Sequence, residues 1–88
     1  MGEVAVRLRV MPDGVERDLD GLKDSLVTVL PDSARFGASD KSPIGFGLSA
    51  LDIVVIMEDR EGGSEEVESR FAAVEGVENV TVVEVGLI

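Results

Sequence analysis

The 88-residue chain contains no cysteine and no histidine. Folding therefore does not depend on disulfide bonds or structural zinc, and the commonest nucleophile, general base and transition-metal ligands are missing. An oxygen-only site for magnesium or calcium stays open. No apolar run approaches the roughly 18 to 20 residues that span a bilayer, and the N-terminus MGEVAVRLRV alternates instead of forming a signal-peptide core. We expect a cytoplasmic domain with no metal, no cofactor and no membrane association.

Positive charge is also scarce. Eight Lys and Arg residues stand against eighteen Asp and Glu residues, so the net charge is −10, and Lys23 and Lys41 are the only lysines. Such a chain is repelled by phosphate backbones and by anionic membranes, so we predict no direct binding to nucleic acid. An acidic, lysine-poor surface suits a salt-rich cytoplasm, although ordinary solubility explains it equally well.

Apolar residues are abundant and make up 44% of the chain. This content is typical of a folded globule and excludes a disordered tail. A chain of this length corresponds to one domain, spanning residues 1–88, which buries only about 60 to 65% of its unfolded surface.

The first half of the chain changes its hydrophobic period twice. Residues 3–10 alternate with a period of two, which predicts a half-buried strand. From Asp18 onward, leucines recur at spacings of three and four, which predicts an amphipathic helix ended by Pro31. The segment SARFGAS predicts a weak strand, and the β-branched run over residues 47–57 predicts a long central strand.

The second half repeats this order. Gly62 and Gly63 predict a turn, and Ser64 is suited to cap the helix that follows. Gly76 ends that helix, and residues 77–85 form the last strand.

Two strand–helix–strand units with right-handed crossovers predict an α+β fold, the ferredoxin-like sandwich in βαββαβ order. Its four-stranded antiparallel sheet carries two helices on one face. The alternation places Arg7, Arg9, Asp52 and Glu84 on the opposite face of the sheet. We interpret them as solvated cross-strand ion pairs rather than as a catalytic pair of carboxylates.

Phe46 stands between Gly45 and Gly47, the residue type least able to pack around it. One interpretation is a core residue at a strand entrance, with glycines that permit a bulge. The other is an aromatic anchor at a loop tip, because Pro43 fixes the entry to the loop and biases Ser42 toward an extended conformation. We favour the second interpretation.

Several motifs then resemble one family over essentially the whole chain. They are the N-terminal strand ending in MP, RFG followed five residues later by PIGFG, the strand LSALDIVV and the turn EGG. PIGFGLSALDI is the most specific of them. Together they resemble the nucleotide-exchange domain of translation elongation factor 1-beta in its short archaeal form.

The resemblance implies a guanine nucleotide exchange factor for elongation factor 1-alpha, the GTPase that delivers aminoacyl-tRNA to the ribosome. In the family, the loop with the aromatic residue and the C-terminal end of the domain press against the GTPase near its magnesium and phosphate site. The factor makes and breaks no bond, so no catalytic residue is expected, and we expect a monomer when it is free. The matching partner-binding positions are Pro43, Ile44, Gly45, Phe46, Gly47, Leu87 and Ile88.

The chain departs from the family pattern at its C-terminal end. Eukaryotic members place a lysine there that intrudes on the magnesium site, whereas this sequence ends in VGLI. Either exchange works through Phe46 and general wedging, or magnesium displacement is weaker than in those relatives.

Three alternatives fit the same topology. A small-molecule regulatory module would bind ligands between paired sheets or helices of a dimer, with the glycine pair as a ligand turn. An RNA-binding sheet needs basic and aromatic residues on its open face, where only Arg7 and Arg9 are basic. A hydrolase of the acylphosphatase kind needs a positive phosphate-binding first loop, but MPDGVERD places two acids before its arginine. We rank them in that order.

Overall fold

The computed structural model describes residues 2–14, 16, 18–58 and 63–87. In chain order the elements are β1 (Glu3–Pro12), α1 (Leu19–Thr28), β2 (Ala34–Gly45), β3 (Leu48–Glu58), α2 (Gly63–Ala72) and β4 (Val77–Leu87). The strands form one antiparallel sheet in the order β2-β3-β1-β4. This arrangement confirms the predicted ferredoxin-like order of elements.

The core lies between one face of the sheet and both helices. Along β1, buried residues alternate with partly exposed ones because successive side chains of a strand point to opposite faces. The buried side chains pack against Leu22 and Leu26 of α1 and against Val67 and Phe71 of α2. Both helices therefore cover the same face of the sheet, as predicted.

Helix α1 begins and ends for local reasons. Asp18 is the N-cap, and its side chain accepts a hydrogen bond from the backbone N–H of Asp20. The helix ends at Thr28, two residues before the predicted limit, because the backbone N–H groups of Val29 and Leu30 donate to the carbonyls three residues back, those of residues 26 and 27. Leu30 precedes Pro31, and a residue in that position is sterically disfavoured in a helix.

The start of α2 differs from the prediction. The helix already includes Gly63, so Ser64 lies inside its first turn and is not the cap. Gly62 lies outside the described residues. The helix ends at Ala72, and Gly76, with a φ of +98°, belongs to the turn that leads into β4.

Strand β2 is much longer than the weak segment that the sequence predicts. It runs for 12 residues along β3 and is an edge strand of the sheet. Pairing with β3 overrides the low strand propensity of its Gly, Ser, Asp and Pro residues. A register shift between Phe36 and Ala38 lets Gly37 approach the backbone of β3 closely, since a Cβ atom there would lie 3.1 Å from the carbonyl oxygen of Val54.

The predicted ion pairs do form on the open face of the sheet. Arg9 donates two hydrogen bonds to Asp52, at 3.0 and 3.3 Å, and these bonds with the charge of Asp52 raise the pKa of Arg9 above its ordinary value. Arg7 lies between Asp52, at 3.9 Å, and Glu84, at 3.7 Å. Asp52 is only 6% exposed, whereas the side chains of Arg7 and Arg9 are 39% and 40% exposed, so the carboxylate is buried while its arginine partners are partly solvated. Its double hydrogen bond to Arg9 compensates for that burial.

A second ion pair on the open face links β2 to β1, the strands on either side of β3. Arg35 of β2 donates hydrogen bonds of 2.7 and 3.3 Å to Glu3 of β1, reaching across β3. These bonds and the positive charge of Arg35 lower the pKa of Glu3 below its ordinary value. Both side chains remain substantially exposed.

This pair gives a pH dependence of stability. Because the pKa of Glu3 is lower in the folded state, its contribution is present above the ordinary glutamate pKa and is lost as the pH falls through the folded value. We expect Glu3→Gln to lower the free energy of unfolding at pH 7 and to make no difference at about pH 2. Urea titrations across this range measure the difference. In an Arg35→Met background, Glu3→Gln should lose its pH-dependent effect, and persistence of the effect there would contradict this assignment.

Among the described residues, neither helix has the length and apolar character needed to cross a membrane.

Candidate functional site: an exposed hairpin tip

The β2–β3 hairpin extends beyond the other two strands. Pairing between β1 and β3 ends at Val10 and Leu51, whereas β2 and β3 remain paired as far as Gly45 and Leu48. Residues 42–50, called the hairpin arm below, therefore form a two-stranded ribbon in which β2 and β3 pair only with each other. The arm carries all five predicted binding residues of the segment 43–47.

The tip of the arm is a two-residue turn. Phe46 and Gly47 connect the paired residues Gly45 and Leu48. Both connecting residues have positive φ, +55° and +77°, which is the pattern of the type I′ turn that matches the twist of a hairpin. A bulky residue at positive φ is an outlier that costs about 1 to 3 kcal/mol. The sheet thus holds Phe46 in a strained conformation.

The side chain of Phe46 is fully exposed to solvent. The core interpretation is therefore wrong, because a fully exposed ring is not part of the core. Ile44, on the same arm, is 40% exposed, and Pro43 is also exposed. The arm thus presents an aromatic ring and aliphatic groups together, the kind of side chains that anchor protein–protein contacts.

Leu87, another predicted binding residue, lies at the other end of the sheet. It pairs with Val4, which in turn pairs with Met57, nine residues along β3 from Leu48. At about 3.3 Å per residue, Leu87 and the hairpin tip are separated by roughly 30 Å along the sheet. The structure does not bring these two predicted sets together. Ile88 lies outside the described residues.

The second half of β4 also has exposed apolar residues, of which the sequence analysis singled out only Leu87. Val83 is 42% exposed, Val85 55% and Leu87 78%. Val83 is the additional residue at a register shift between β4 and β1, and β4 is an edge strand. Alternation alone does not reveal this exposure, because it depends on which strand lies at the edge of the sheet.

The surface also has a cleft of about 580 Å³ where β1 leads into α1. Its lining includes the carboxylates of Asp13, Glu16, Asp18 and Glu75. Anionic metabolites such as nucleotides would be repelled there. Among the described residues, no group of three or more Asp, Glu, His or Cys side chains is arranged to hold a metal ion.

These features define a class of protein: a ferredoxin-like domain that presents an exposed aromatic residue on a projecting hairpin. A family model described as the EF-1 guanine nucleotide exchange domain matches residues 5–88. The chain belongs to this family and is a guanine nucleotide exchange factor of translation elongation.

Individual relatives agree with the family match. Elongation factor 1-beta of Methanococcoides burtonii is 54% identical over 86 residues, covering 98% of this chain and 97% of the relative. Elongation factor 1-beta of Halobacterium salinarum is 49% identical and covers 98% of both chains. The protein of the same name from Natronomonas pharaonis is 47% identical over the full length of both chains.

Proposed function

We propose that this protein promotes GDP release and GTP loading on elongation factor 1-alpha, and that Phe46 is its principal anchor on that GTPase. The observation that carries the proposal is the strained, fully exposed conformation of Phe46 at the end of the arm. Strain that persists in a folded protein is concentrated at binding and catalytic sites. A fully exposed aromatic side chain is available to fill a pocket of a partner.

The geometry constrains how the partner is contacted. Because the hairpin tip and Leu87 are roughly 30 Å apart, they do not both reach a single magnesium-and-phosphate site. We therefore propose two separate contact regions on the GTPase. The tip, with Pro43, Ile44, Gly45 and Gly47 around Phe46, forms one region. The end of β4 at Leu87, together with Ile88, forms the other.

Exchange follows from thermodynamic linkage. A factor that binds the nucleotide-free GTPase more tightly than the loaded form must weaken the affinity for nucleotide by the same ratio. The factor itself transfers no group and breaks no bond, so it is not an enzyme. In the cytoplasm it would act as a monomer without metal or cofactor. Its net charge of −10 disfavours direct contact with nucleic acid.

Release of labelled GDP from a purified archaeal elongation factor 1-alpha tests the proposal. We expect release to accelerate with increasing concentration of this protein and to saturate when all of the GTPase is bound. Because acidic proteins respond to screening, the assay should be run from about 0.1 M to several molar salt. No acceleration at any salt concentration would contradict the proposed partner.

The small-molecule regulatory module gains no support from the acidic cleft. Ligand pockets of comparable volume are lined mainly by apolar side chains with a few polar groups, whereas four of the eight described residues that line this cleft are acidic. A melting temperature that rises with a metabolite would nevertheless favour that module over the exchange factor.

A further inference from the structure

Both lysines of the chain contact elements across the boundary between α1 and β2. Lys41, in β2 at the base of the hairpin arm, places its Nζ atom 3.2 Å from Oδ1 of Asp20 in α1. Lys23, in α1, places its Nζ atom 5.6 Å from the centre of the Phe36 ring in β2. The chain has a net charge of −10 and only two lysines, and both of them lie at the boundary between α1 and β2.

The position of Lys41 suits a brace for the arm. Lys41 pairs with Leu51, the residue of β3 at which pairing to β1 ends, so it lies where the sheet narrows to two strands. Leu51 is part of the core, and alternation therefore directs Lys41 toward the helix side of the sheet. Asp20 lies in the first turn of α1, where a carboxylate is also favoured by the helix dipole.

We infer that the Lys41–Asp20 ion pair holds the hairpin arm at a fixed angle to the helix layer and thereby positions Phe46 for the GTPase. This inference rests on the proposed function. Lys41 and Asp20 are positioning residues, because they act through the orientation of Phe46 and not through contact with the partner.

The expected size of the effect follows from the exposure of the pair. Exposed ion pairs contribute little and are screened by salt. Loss of the pair lowers the fraction of molecules in the binding-competent orientation and weakens apparent affinity by that fraction. We expect the concentration of factor that half-saturates GDP release to rise about two- to fivefold at low salt. The maximal rate should not change.

Three variants and one control test the role of the pair. Lys41→Met and Asp20→Asn should raise the half-saturating concentration equally, and the double variant should raise it no further. At about 1 M salt, the ratio of each variant to the unmodified protein should fall to one. Glu3→Gln is the matched control, since it removes a closer ion pair of β1 and β2 away from the arm, and it should leave the half-saturating concentration unchanged.

A direct contact of Lys41 with the GTPase would give a different pattern. Lys41→Met alone would then raise the half-saturating concentration, and Asp20→Asn would have no effect. That result, additivity in the double variant, or an equal effect of Glu3→Gln would overturn the inference.

A second measurement does not depend on exchange activity. Because the chain has no cysteine, Ile44→Cys and Ser25→Cys allow spin labels on the arm and on α1 alone. We expect a narrow distribution of distances between the two labels. The distribution should broaden when Lys41→Met is added, and it should also broaden at about 1 M salt in the labelled protein that retains Lys41 and Asp20. Identical distributions would overturn the brace even if exchange occurs. Broadening, combined with no exchange activity of the unlabelled protein with its native Ile44, would support the brace and contradict only the proposed partner.

Discussion

Replacing Phe46 by alanine should leave the domain folded and sharply weaken its action on elongation factor 1-alpha. The ring is fully exposed, so its removal creates no cavity. Alanine would occupy the same positive-φ position, so the backbone strain of the turn remains. If the ring fills a pocket of the GTPase, its truncation costs about 2 kcal/mol or more of binding free energy, or roughly 30-fold in affinity.

Thermal melts and GDP-release assays on the same sample measure the two effects separately. Val83→Ala is a control, because Val83 is also an exposed apolar residue but lies four residues before Leu87 on β4, outside both the arm and the proposed contact region at Leu87 and Ile88. We expect the control to retain both stability and exchange. A Phe46→Ala protein with normal exchange, or one that loses exchange only through unfolding, would remove Phe46 from the proposed interface.

Replacing Phe71 by alanine should destabilise the domain and leave the exchange activity of each folded molecule unchanged. Phe71 is a fully buried side chain of the core, where α2 packs on the sheet. Truncating a buried phenylalanine costs about 3 to 5 kcal/mol. This is a large part of the whole free energy of unfolding, which is about 4 to 13 kcal/mol for a domain of this size. The melting temperature should fall by more than about 10 °C.

Exchange activity separates this loss of stability from a loss of binding. Well below the new melting temperature, Phe71→Ala should retain normal GDP release per folded molecule. Phe71→Leu fills more of the cavity and should therefore melt at a higher temperature than Phe71→Ala. A strong loss of exchange in a fully folded Phe71→Ala protein would show that α2 takes part in partner binding.

The order of elements could be predicted because each helix and strand has its own local period. Alternation in β1 and the leucine spacing in α1 identify elements without knowledge of their neighbours. The length of β2 could not be predicted in this way. Its polar and glycine residues become a strand only through pairing with β3, which is an interaction beyond the segment itself.

The candidate site was predicted in part. Pro43 and the extended bias of Ser42 favoured a loop tip at Phe46, and the tip is a turn with positive φ values that favour glycine. Other features depend on register between distant segments. Burial of Asp52 requires Arg9 directly opposite it, and the contact of Lys41 with Asp20 requires the start of α1 to lie beside the base of the arm.

The strand order β2-β3-β1-β4 also determines how the sheet can assemble. β2 and β3 are joined by a two-residue turn, whereas β1 must find β4, and Val4 must pair with Leu87. Sheets whose contacts join distant parts of the chain fold slowly, because loop closure costs entropy before those contacts form. A hairpin alone is at best marginally stable in water. The segment that carries Phe46 can therefore pair early, but it becomes rigid only when β3 pairs with β1 and the slower pairing of β1 with β4 completes the sheet.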